Sequence, residues 1–77
     1  MKLIETAPYE VRKIFEKLGI EESELSRKGS NLYVDCEDFD LAYQVRSSLL
    51  EGESFSCRLI SNSLTGKPTV EIEQAIN

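Results

Sequence analysis

Three acids, a thiol and a fourth acid crowd into residues 35–40, Asp35-Cys36-Glu37-Asp38-Phe39-Asp40, between two apolar runs. Side chains of these types bind hard cations, move protons or ligate soft metals. A calcium loop of the EF-hand kind needs oxygen ligands at alternate positions, glycine at the sixth and a bidentate glutamate at the twelfth. Counted from Asp35, the sixth residue is Asp40 and the twelfth is Arg46, so the spacing fails twice. A carboxylate metal site of other geometry at 35–40 stays open as one reading. The simpler reading makes these acids the start of a helix, with Glu37 or Asp38 capping it and negative charge meeting the positive end of its dipole.

Catalysis finds little to work with. Paired catalytic carboxylates need one group raised in pKa by burial, whereas acids at a helix start are solvated and pushed the other way. The chain has no histidine, the commonest general base. Its four glycines are isolated, so no phosphate-binding loop is present. The two thiols, Cys36 and Cys57, have neither Cys/His zinc spacing nor a CxxC pair. Both fall on inward-facing positions of strands expected to lie side by side. They read as small buried hydrophobes, with a disulfide as the lesser alternative.

The elements that position these residues follow from periodicity. In "APYEVRKIFEKLGI", Val11, Ile14, Phe15 and Leu18 share a stripe about 100° wide, the mark of a helix seated on a core. Thr6 or Ala7 is placed to cap it, Pro8 suits its first turn, and Gly19 with Ile20 suits its end. "EESELSRKG" is either one or two helical turns around Leu25 or an irregular loop. Joined to the preceding helix, it has the cadence of a helix-turn-helix over residues 9–28, but Phe15 occupies a position that such a motif keeps small.

"NLYVDC" alternates as a strand, with Leu32, Val34 and Cys36 on one side and Tyr33 and Asp35 on the other. Residues 38–51 then turn helical, with Leu41, Ala42, Val45 and Leu49 on the core face. Phe39, Tyr43 and Leu50 extend its apolar side beyond that face, and Gly52 ends it. "SFSCRLI" and "PTVEIEQA" form a hairpin. With Thr65-Gly66 as the turn, Leu59 faces Ile72 and Arg58 faces Glu73; a longer loop around "SNSLTGK" is the alternative. Residues 2–5 are a candidate short strand.

These elements predict one α+β domain over residues 1–77. Helices lie on one face of a small mixed three-stranded sheet, a two-layer sandwich in the order α-(short α)-β-α-β-β. Residues 31–60 form a parallel strand–helix–strand unit with a right-handed crossover.

Composition bounds the function. Fourteen acids against nine bases leave a net charge of −5 and no basic stripe, which argues against nucleic acid. The N-terminal residues lack the apolar core of a signal peptide, and no run reaches the ~20 residues of a membrane span, so the expected compartment is the cytoplasm. The expected function is a non-enzymatic protein-binding module without cofactors: an adaptor, regulator or inhibitor, or a homodimer. The uncovered sheet face offers Tyr33, Arg58, Ile60, Glu71 and Glu73 as its contact surface, and Phe39, Tyr43 and Leu50 form a second candidate patch. DNA contact through residues 9–28 is the alternative reading, and a metal site at 35–40 the second.

Overall fold

The computed structural model describes residues 2–51, 56–61 and 66–73. Helix α2 (Tyr9–Leu18) forms where the apolar stripe requires it and buries Val11 and Phe15. Pro8 occupies its cap position, in place of Thr6 or Ala7. The helix ends on Gly19 at φ 73°, a left-handed conformation that a side chain would strain. There the Ile20 and Gly19 N–H groups donate to Phe15 O and Glu16 O, so two carbonyls without helical partners are satisfied and Ile20 is turned inward.

Residues 2–5 are not a strand. Leu3–Thr6 form a single helical turn, α1. The reason lies 18 residues away: the Glu22 carboxylate accepts the Leu3 and Ile4 N–H groups at 2.9 and 2.8 Å, capping the turn from outside. Thr6 Oγ1 closes it by donating to Leu3 O at 2.6 Å.

Residues 21–28 are not a helix either. A 3-10 turn at Glu22–Glu24, held by a reciprocal capping box between Glu21 and Glu24, leads into strand β1 (Leu25–Lys28). Gly29, at φ 63°, and Ser30 then return the chain into β2 (Asn31–Asp35), with Lys28 opposite Asn31. A two-residue loop that begins on glycine favours a hairpin, because its twist matches that of the flanking strands. The second helix that a helix-turn-helix over 9–28 requires is therefore absent, and that reading loses its structural footing.

Helix α3 (Phe39–Glu51) buries Ala42, Val45 and Leu49. It is followed by β3 (Cys57–Ser61) and β4 (Pro68–Ile72). The sheet has four strands, not three, in the order β1-β2-β4-β3, and every pair is antiparallel. β2 and β3 run in the same direction but are not neighbours, because β4 lies between them. Burial explains the insertion. β4 carries Val70 and Ile72 with no exposed position, so it gains most from a central place, whereas β3 carries Arg58 and Ser61, which suit an edge.

The hairpin register differs from the expected one by two residues: Leu59 faces Val70, and Arg58 faces Glu71 rather than Glu73. A shift of two leaves every side chain on its expected face. The last described pair before the connection is Ser61 with Pro68, and residues 62–65, including Thr65, lie outside the described residues, as does Gly52. The core gathers Val11, Phe15, Leu32, Val34, Val45, Leu49, Val70 and Ile72 between one face of the sheet and the helices. No helix among the described residues is long and apolar enough to cross a membrane.

Candidate functional site

Among the described residues the helices all lie on one side, and the other face of the sheet is open. Its middle row crosses all four strands through Ser26, Tyr33, Glu71 and Arg58, and the next row carries Asp35, Thr69 and Ile60. The middle row is bonded together. The Tyr33 hydroxyl donates to Glu71 Oε2 at 2.7 Å, and Arg58 donates to Glu71 Oε1 from Nε at 3.1 Å and from Nη2 at 2.9 Å. In the neighbouring row, Thr69 Oγ1 donates to Asp35 at 2.9 Å.

Position within the sheet sets the electrostatics. Glu71 lies on a central strand between two long side chains, so its own side chain is only 8% exposed, while that of Arg58 is 68% exposed. The Tyr33 hydrogen bond, seconded by the guanidinium of Arg58, holds the Glu71 carboxyl below its ordinary pKa against the opposing effect of burial. The same bond holds the Tyr33 phenol above its ordinary value. Glu71 is thereby fixed as an anion and Tyr33 as a neutral donor. Both shifts run away from neutral pH.

Of the residues expected on this face, Tyr33, Arg58, Ile60 and Glu71 are brought together. Tyr33 and Ile60 are half-buried on the open side rather than in the core. Glu73 is exposed just past the end of β4, and its backbone N–H bonds to Ser56 O at 2.9 Å. The second patch is also on the surface: Phe39, Tyr43 and Leu50 are 53%, 51% and 42% exposed, with the two rings 6.3 Å apart.

Tyr9, at 65% the most exposed large apolar side chain among the described residues, was not among the expected surface residues. It lies off the Val11–Phe15 stripe, which the helical period alone reveals. Lys13 Nζ sits 5.4 Å from its ring centroid, a cation–π contact.

Two of the acids at 35–40 have local tasks. Asp38 caps α3 by accepting the Leu41 N–H at 2.9 Å, and Asp35 accepts from Thr69. Together with Glu21, Glu24 and Glu37 they line a cleft of about 650 Å³ that also includes Lys67. Among the described residues, no three acid or thiol groups converge to hold a metal ion.

The thiols sit two strands apart and near opposite ends of them, since Cys57 faces Ile72 while the Cys36 N–H bonds to Pro68 O. Strand spacings put them about 16 Å apart, far beyond the ~7 Å that a disulfide spans. The expectation that their strands are adjacent fails because β4 intervenes. Burial pushes the Cys36 thiol up to about 11 and also raises Cys57. Native protein is accordingly expected to react with a thiol-specific reagent at Cys57 well before Cys36, and rapid labelling of both would show that the core opens readily.

Compared with models of known protein families, with curated proteins and with solved structures, the chain matches none.

Proposed function

We propose that this chain is a non-enzymatic protein-binding module that docks a protein partner on the open face of its sheet and acts as an adaptor, regulator or inhibitor in the cytoplasm. The bonded Tyr33–Glu71–Arg58 row is the observation that supports this reading. Binding surfaces lose affinity to the ordering of flexible side chains, and a row already locked by three short contacts avoids much of that cost. Tyrosine and arginine are also the residue types that dominate interface energetics, and Ile60 supplies an apolar neighbour to them. Glu73 lies at the rim.

The test is capture from extract of the native host, comparing the wild-type chain with Tyr33→Ser/Ile60→Ser. Neither side chain belongs to the core, so the far-UV circular dichroism spectrum should be unchanged. Truncating two anchors is expected to lower recovery of the specific partner by tenfold or more. Equal recovery with both proteins would remove this face from consideration.

A further inference from the structure

The sheet has two edges, and they differ. At the β1 edge, Arg27 and Lys28 place charges along the strand and α1 packs beside it. Both are devices that keep an edge from pairing with another chain. β3, at the other edge, carries one charged residue, Arg58, and Glu71 of the same chain neutralises it. Among the described residues, β3 has a strand neighbour on one side only.

Helix α3 lies over this edge. The Cys57 thiol of β3 is 3.8 Å from the Arg46 carbonyl oxygen, which fixes the side of the helix that faces β3. Phe39, Tyr43, Arg46 and Leu50 fall within about 60° of one another on that side. Leu41 borders Gly19, and Gln44, Ser47 and Ser48 border Lys17 and Leu18 at the end of α2, with Tyr43 at the margin between that cleft and the β3 side. The stripe contains no carboxylate, since Asp40 and Glu51 fall outside it. On a chain of net charge −5, that makes it a surface on which two copies can approach with least repulsion.

We propose that two copies of this chain pair antiparallel through β3 and the adjoining Phe39–Leu50 stripe of α3, joining their sheets into one of eight strands.

The surface is self-complementary about a two-fold axis, as a closed dimer requires. With the two α3 helices antiparallel, Phe39 meets the partner's Leu50, and Tyr43 meets the partner's Arg46 in a cation–π contact. Centring the strand pair on Leu59 places Arg58 opposite the partner's Ile60, so the two guanidinium groups are offset from each other. The half-exposed rings and Leu50 supply roughly 300 Å² per protomer. With the flanks of a five-residue strand edge, the total over both copies reaches the ~1,000 Å² of a specific interface.

Sedimentation velocity of the purified chain over a concentration series tests this, together with amide hydrogen exchange of β3. Wild type should sediment as a dimer at the upper concentrations, with the β3 amides that point away from β4 protected. Phe39→Ser/Leu50→Glu alters only exposed positions of α3. It should raise the dissociation constant at least a hundredfold and release those amides. Tyr33→Ser, on the open face, should remain dimeric, which separates this surface from the one that docks a different protein. Wild type that stays monomeric throughout, a Phe39→Ser/Leu50→Glu protein that dimerises as before, or a dimer whose outward β3 amides exchange freely would each overturn the proposal.

Discussion

Phe15→Ala is expected to leave the domain largely unfolded at 25 °C. Phe15 is completely buried and, among the described residues, heads the fully buried side chains by volume. Truncating such a residue removes its transfer free energy and leaves a cavity, together costing about 3–5 kcal/mol. A single core in a chain of this length supplies a net stability of about the same size. The two nearly cancel, so urea titration followed by circular dichroism should show no cooperative native baseline. Phe39→Ala makes the natural control, because its ring is 53% exposed and the same change of residue should cost about 0.5 kcal/mol or less in the monomer. A Phe15→Ala protein with an unchanged urea midpoint would mean that the core is not centred where the structure puts it.

Phe15 also illustrates which features the sequence makes legible. Its helix, β2 and α3 are each defined by a run of residues whose period betrays one buried face, and each forms where that period puts it. The capping of α2 by Gly19 and Ile20 was legible for the same reason, because a cap is chosen by residues one turn away, and that of α3 was legible to within Glu37 or Asp38, of which Asp38 makes the bond. α1 is not of this kind. Its cap is the Glu22 carboxylate, and no local pattern in "KLIET" reports a partner 18 residues along the chain.

β1 fails for a different reason. An edge strand of four residues buries only Leu25, so its period-two signal amounts to one apolar position. The signal that was present is the Gly29-Ser30 pair between "LSRK" and "NLYV", a glycine-first hairpin loop. The acid-to-base order of "EESELSRKG" suits a helix dipole and masks it. Strand order was hidden because alternation assigns a face and not a neighbour. That β4 separates β2 from β3 follows from comparing how apolar the strands are, a property of the whole sheet. The open-face residues survived these errors because a register shift of two and a change of neighbour both preserve faces. Tyr33, Arg58 and Ile60 therefore lie where alternation put them, while the identity of Arg58's acid, Glu71, required the register.

Glu71 should contribute a pH dependence to the stability of the domain in the acid range, and Glu71→Gln should remove that contribution. The sign follows from the direction of its shift. A carboxyl whose pKa is lower in the folded state than its ordinary 4.5 binds protons more readily when unfolded. Its contribution is present in full above the unfolded value and is lost as pH falls through the folded one. Glutamine keeps the shape and can still accept from Tyr33, but it offers Arg58 no negative charge. Wild type should therefore have the higher urea midpoint at pH 7, and the two curves should converge as pH falls through the lowered folded-state pKa of the carboxyl. Tyr33→Phe should remove more of the effect than Arg58→Ala. The tyrosine bond is the largest cause of the shift, and the 68% exposed guanidinium is screened by water and salt. A gap between wild type and Glu71→Gln that stays constant as pH falls from 7 until both proteins are acid-unfolded would show that the residue acts through packing alone. The open face would then carry no fixed anion for a partner to read.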